Sequence, residues 1–286
     1  MTDSKDGLKL LNSEVLSKNE QAALEAVTGS EWKKYTRVAM AALGGIPWVG
    51  SVLSAAATLS AEKDQSTTNK IIYLWVQEHE QKLKDLGITL NEVFTRFETL
   101  GNEITKRIES DEYLTLVRKT FRQWDQAETI EKKEMLKKLI TNSGVVTLAQ
   151  DDLVRLFLEW ISKYHEFHFA VMREIYLNPR ITRKQIWQNI RGDIPTDSSA
   201  EAHLFKLLIN DLSIGEVITQ YKNIDSHGSY LKAKPQKRTR TDTLQSPFED
   251  TKSYVLTELG EQFVHYVMND VVEQLSSGKG DSDTSQ

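Results

Sequence analysis

The chain contains no cysteine. Disulfides, thiolate nucleophiles and cysteine-ligated metals are excluded with it. Proline and glycine are scarce, at 5 and 14 in 286 residues, which disfavours a fold of many short strands and turns and favours long helices. An excess of positive charge is missing too. The formal net charge is −5, so a general nucleic-acid binder is excluded and any such binding must come from a local patch. No GxSxG occurs, so an esterase-type elbow is absent, and neither GxxxxGK[ST] nor GxGxxG is present to cradle phosphates. The opening Met1-Thr2-Asp3-Ser4-Lys5-Asp6-Gly7 has neither the basic region nor the apolar run of a secretory signal, which predicts a cytoplasmic protein.

Apolar residues make up 39% and charged residues 27%, with 6 Trp and 9 Phe, enough for a packed core. Ser17-Lys18-Asn19-Glu20 fits a capping box at the start of a first helix, and a second should carry Trp32, Tyr35, Val38, Ala39 and Ala42. Residues 38–61 form a 24-residue stretch without a charge, long enough to span a bilayer. Its content of Ala, Ser and Gly, and the central Gly44-Gly45-Ile46-Pro47, predict two short helices folded back on one another, with Trp48 and Gly50 just beyond the turn. The small residues would let backbones approach closely, and the hairpin should pack against Phe94, Phe97 and Leu100. The alternative is insertion of the hairpin into a membrane.

Between 67 and 142 the pattern is of long amphipathic helices. One is expected to break at Gly87 and restart with Thr89 as cap. Leu90, Val93, Phe94, Phe97, Leu100, Ile104 and Ile108 then recur at three- and four-residue steps, forming an apolar stripe. Ser110 and Thr129 should open two more helices. The aromatic-rich 151–175 is expected to be a single core helix joining two halves.

After Asn178-Pro179 the elements shorten. Helices are expected over 181–190 and 198–212, with Ala202, Phe205, Leu208 and Ile209 inward. A strand over 216–221, a polar stretch over 222–252, a return strand at Tyr254-Val255-Leu256 and a helix capped by Thr257 complete the series. This order, and the run from Leu208 to Ile218 followed by Leu256-Thr257-Glu258-Leu259-Gly260, resemble the ends of bacterial winged-helix domains. The fold expected is all-α with a small β wing: a helical bundle over 1–145 holding the 38–61 hairpin, a linker helix and winged-helix-like module over 151–275, and a disordered tail over 276–286.

A second resemblance covers most of the chain in short pieces. Gly45-Ile46-Pro47-Trp48-Val49-Gly50, the charged Glu131-Lys132-Lys133-Glu134-Met135-Leu136-Lys137-Lys138-Leu139-Ile140-Thr141-Asn142, and Leu256-Thr257-x-Leu259-Gly260-x-x-Phe263 together resemble bacterial abortive-infection proteins of the Abi-alpha type. Residues 145–180 have no counterpart in that layout. The resemblance implies a role in defence against phage and carries over no catalytic residues.

The chemistry-bearing candidates are few. His165 and His168 lie three apart on a helix, without an evident third ligand, and read as polar helix residues rather than a metal site. No metal and no cofactor are expected. Lys232, Lys234, Lys237, Arg238 and Arg240, with Tyr230 beside them, form a basic wing that could lie along phosphates, and Arg180, Arg183, Lys184 and Arg191 add to it. The expected recognition helix carries Glu201 and Asp211 against one Lys206, so sequence-specific reading through Asn210 or His203 is disfavoured. The sequence therefore predicts a non-enzymatic interaction or effector protein in anti-phage defence, with a protein partner. The alternatives are a membrane-perturbing protein that releases its hairpin when triggered, and a winged-helix DNA-binding regulator of weak specificity. Oligomeric state is left open.

Overall fold

The computed structural model describes residues 33–51, 66–101, 104–145, 151–221 and 246–268. The expected first helix from Ser17, the second arm of the hairpin beyond Ser51, the wing and the 276–286 tail lie outside these residues. The chain is mostly helical with one small antiparallel sheet, and divides into two compact units at Ser162/Lys163. Residues 151–162, expected to belong with the C-terminal half, fall in the first unit.

In the first unit, α1 (Thr36–Gly45) packs along α4 (Asp111–Gln126). Between them in sequence come α2 (Ser66–Leu100) and the short α3 (Thr105–Ile108). α5 (Ile130–Ser143) packs against both α4 and α2, and α6 (Asp151–Lys163) follows. The sequence dictates most of the starts. Ser110 Oγ accepts from the Tyr113 N–H at 3.3 Å, and Thr129 Oγ1 from the Lys132 N–H at 3.4 Å, so each expected cap satisfies an orphan donor. Most of the expected stripe is core: Leu90, Val93, Phe94, Phe97, Ile104 and Ile108 are buried, as are Leu136, Leu139, Phe121 and Trp124 of the same unit, while Leu100 at the end of α2 is only half-buried. Buried Tyr113 donates its hydroxyl to the Ile140 carbonyl at 2.7 Å, which joins α4 to α5. Lys137 bridges Glu134 and Glu92, both at 2.6 Å, joining α5 to α2, and Arg107 binds Asp151 across to α6.

Two sequence expectations fail here. Gly87 does not interrupt α2, which runs unbroken to Leu100. Thr89 is no cap: its hydroxyl donates to the Asp85 carbonyl one turn back, the bond that lets a threonine sit mid-helix. The break comes instead at Gly101, whose φ of +78° is left-handed backbone that glycine adopts without a side-chain clash.

In the second unit, α7 (Glu166–Leu177) is followed by β1 (Ile181–Thr182), α8 (Arg183–Arg191), α9 (Ala200–Ile214), β2 (Ile218–Gln220), β3 (Ser253–Leu256) and α10 (Glu258–Phe263), which continues as a wider turn over Val264–Met268. The sheet order is β1-β3-β2, antiparallel throughout, with Ile181 opposite Tyr254 and Ile218 opposite Leu256. The expected single helix over 151–175 is two, α6 and α7, parted at Tyr164-His165. The His165 N–H donates to the His168 Nδ1 at 3.1 Å, so an imidazole does the work of the usual Glu or Gln at the third helical position. Ile181 and Thr182, expected in a helix, form a strand because Tyr254 and Ser253 pair with them; Thr182 then caps α8 in a capping box with Gln185. The core is aromatic. Trp187 lies 5.4 Å from Phe205 and 5.2 Å from Phe248, and Phe205 stacks on Phe248 at 5.7 Å. Phe248 comes from the stretch read as a polar loop, so that stretch contributes to the core.

Candidate interaction surface

α9 begins at Ser199, whose hydroxyl accepts from the Ala202 N–H at 3.1 Å. Its inner face is the expected one, with Ala202, Phe205, Leu208, Ile209 and Leu212 all buried. The outer face was not expected. Leu204 is 48% exposed, Leu207 54% and Ile214 80%, and Ile194 in the loop leading into the helix is 38% exposed. Solvated leucines and isoleucines grouped on one helix and its approach loop form a patch rather than scattered singles. Glu201, His203, Lys206 and Asn210 are the exposed polar residues among them. The signal was in the sequence: apolar residues at 202, 204, 205, 207, 208, 209, 212 and 214 exceed what one buried stripe can use. A count of cations on this helix does not see it.

The basic residues around the sheet are turned onto the unit's own groups. Arg183 lies over the Tyr254 ring at 5.2 Å, Arg180 over Tyr221 at 4.1 Å, and Arg191 over Phe167 at 4.9 Å. Lys184 pairs with Asp250 at 3.6 Å. Arg183 and Lys184 are thus engaged within the unit, and Lys232, Lys234, Lys237, Arg238 and Arg240 lie outside the described residues.

The hairpin residues take a different arrangement from that expected. Gly44 and Gly45 are the last residues of α1, not a turn beyond it; the chain bends at Ile46, and Pro47 opens a helical segment over 47–51. Gly45 is where α1 meets α4: a Cβ there would lie 2.4 Å from the Arg118 carbonyl oxygen. Gly44 and Gly50 face open space. The Trp48 indole donates to Asp125 Oδ1 at 2.7 Å, and its ring lies 5.0 Å from that of His79. The first arm therefore packs on α4, with Val38, Ala39, Ala41 and Ala42 buried, while Tyr35 just ahead of it stacks on Phe94 at 5.2 Å. Among the described residues, no helix is long and apolar enough to cross a membrane.

A cleft of about 240 Å³ at the start of α1 is lined by Lys33, Lys34, Arg37, Thr105 and Glu109. Lys34 pairs with Glu98 at 3.2 Å, while Arg37 donates to the Glu109 carbonyl at 2.8 Å and reaches Asp111 at 3.2 Å.

His168 is buried, with its ring 4.9 Å from that of Tyr164. Its Nε2 stands 3.7 Å from Asp211 Oδ2, within ion-pair range but beyond hydrogen-bond range. Burial holds its pKa below the ordinary imidazole value; nearby Asp211 opposes that shift. Among the described residues, no group of three His, Asp or Glu side chains is placed to hold a metal ion. No family model, curated protein or solved structure matches the chain.

Proposed function

We propose that the chain is a non-enzymatic interaction protein of the abortive-infection kind, acting in anti-phage defence, with a winged helix whose third helix docks a protein partner. The order α7-β1-α8-α9-β2-β3 with sheet order β1-β3-β2 supports the winged-helix reading, in which α9 would correspond to the recognition helix and the segment joining β2 to β3 to the wing. One observation carries the docking role: where a DNA-reading helix presents Arg, Lys, Asn or Gln to base edges, α9 presents Leu204, Leu207 and Ile214. Apolar side chains at the centre of a patch, with a polar rim of Glu201, Lys206 and Asn210, are the composition of a protein interface. The defence role rests on the Abi-alpha resemblance.

The DNA reading keeps the wing cations of 232–240 and the exposed Lys206 of α9, because Arg183 and Lys184 are already engaged. The membrane-release reading must detach α1 from α4, exposing Val38, Ala39 and Ala42 and breaking the Trp48–Asp125 bond.

The test is a plaque assay in a phage-susceptible bacterium expressing the wild-type chain, Leu204→Lys/Leu207→Lys, or Lys237→Ala/Arg238→Ala/Arg240→Ala. Protection by the wild type, lost in the α9 variant and kept in the wing variant, is the expected result. No protection by the wild type overturns the defence role. Protection lost only in the wing variant, with binding to all DNA sequences weakened alike, moves the function to DNA.

A further inference from the structure

His168 is the third residue of α7 and is 3% exposed. Its Nδ1 accepts from the His165 N–H at 3.1 Å, and the His168 N–H donates to the His165 carbonyl at 2.9 Å in return. An Nδ1 that accepts a hydrogen bond assigns the ring proton to Nε2. That Nε2–H is buried and has no acceptor within hydrogen-bond range among the described residues; Asp211 Oδ2 of α9 stands 3.7 Å away. We infer that His168 is an acid-operated latch between α7 and α9: neutral, it caps α7; protonated, it gives up that cap and pairs with Asp211.

Neither protonation state satisfies both ring nitrogens where they stand. The neutral ring leaves a buried donor unpaired, which is costly. The imidazolium is a donor at both nitrogens, so its Nδ1–H faces the His165 N–H and the cap is lost. In exchange its charge meets a carboxylate inside the protein, where the attraction exceeds that in water. Closing the gap to Asp211 into hydrogen-bond range turns the ring away from His165.

The charges that act on the ring are few. Asp211 comes from α9 and favours the charged form; His165, its ring 6.0 Å away at the start of α7, opposes it, as does burial. The Tyr164 ring lies beside it at 4.9 Å. α8, β3 and the turn over 264–268 also pack on α7, and among the described residues none of them adds a charge that acts on His168.

The movement reaches the end of α9. The Tyr164 hydroxyl occupies the space a side chain at Gly215, the C-terminal cap of α9, would need. The last turn of α9 thus meets Tyr164 at Gly215 and His168 at Asp211, and it carries Ile214, which is 80% exposed. Drawing Asp211 toward the ring shifts this turn. The latch does not depend on what α9 docks.

The test follows the full chain by NMR from neutral pH downward, reading the His168 ring nitrogens and the hydrogen exchange of the His165 amide, corrected for intrinsic exchange. At neutral pH the ring proton should sit on Nε2. On acidification the ring should titrate below the ordinary imidazole value, and the His165 amide should lose several-fold of its protection at the same midpoint. Asp211→Asn should move both midpoints to lower pH. His168→Gln should keep the amide protected throughout. A neutral ring protonated on Nδ1, amide protection that does not follow the ring, a midpoint unmoved by Asp211→Asn, or cooperative unfolding before the ring titrates overturns the latch. Should Asp211→Asn not fold, the wild-type Asp211 carboxyl resonance decides: it must shift at the ring's midpoint, and a resonance that stays put there overturns the pairing.

Discussion

Gly44 and Gly45 are adjacent, both helical, and should respond to the same substitution with opposite signs. In an ordinary helix, replacing glycine by alanine stabilises by roughly 0.5–1 kcal/mol, because glycine loses the most backbone freedom on folding. Gly44 is exposed with nothing near its missing Cβ, so Gly44→Ala should show that gain in full. At Gly45 the added carbon would lie 2.4 Å from the Arg118 carbonyl oxygen and 3.2 Å from two further Arg118 backbone atoms. Backbone in the middle of α4 cannot swing aside as a side chain can. Relief therefore requires α1 to lift from α4 along the face that buries Val38, Ala39, Ala41 and Ala42. Overpacking of this kind costs about 1–3 kcal/mol. After the helix-propensity gain is subtracted, Gly45→Ala should destabilise by up to roughly 2 kcal/mol, separating the two variants by about 1–3 kcal/mol, the overpacking cost itself. Urea unfolding followed by far-UV circular dichroism measures the difference as a shift in midpoint at constant slope. If both variants move the midpoint the same way, α1 and α4 do not approach as closely as described, and the packing account of the 38–51 segment is wrong.

Three further outcomes follow from the same packing. Ala42→Asp places a charge at a fully buried site and should destabilise the first unit by on the order of 3 kcal/mol, read by the same urea titration; a change within experimental error would put α1 on the surface. Trp48→Phe removes the indole donor to Asp125 and should cost about 1 kcal/mol, with no added loss when Asp125→Asn is combined with it, as a double-mutant cycle measures. His168 has a folded pKa lowered mainly by burial, so the unfolded chain binds the proton more readily; its contribution is complete above about pH 6.5 and is lost as pH falls from there through the folded value. His168→Gln keeps an acceptor for the His165 N–H but cannot titrate, and should flatten the fall in stability below about pH 6.5; an unchanged pH dependence would show that another group titrates there.

What the sequence by itself determined is what local chemistry controls. Ser110, Thr129 and Thr257 each cap the helix expected of them, because a hydroxyl needs only an N–H two or three residues ahead, within reach of its own backbone. The stripe from Leu90 to Ile108 and the inner face of α9 were legible because periodic apolar residues have one way to leave water. What only the tertiary structure decided depends on a neighbour remote in the chain. Gly87 could have ended a helix and does not, since its site is buried inside one. Gly45 reads as turn punctuation and is a contact point, because Arg118, more than seventy residues away, occupies the space its side chain would fill. Ile181 and Thr182 are too few to signal a strand and become one only when Tyr254 and Ser253 supply the partners. Phe248 sits among polar residues and is drawn into the core by Trp187 and Phe205. The leucines of α9 are of the same kind. Composition marks them as apolar, but only the packing of Phe205, Leu208 and Ile209 inward turns Leu204 and Leu207 out to solvent, because one helix cannot bury two opposite faces against one core.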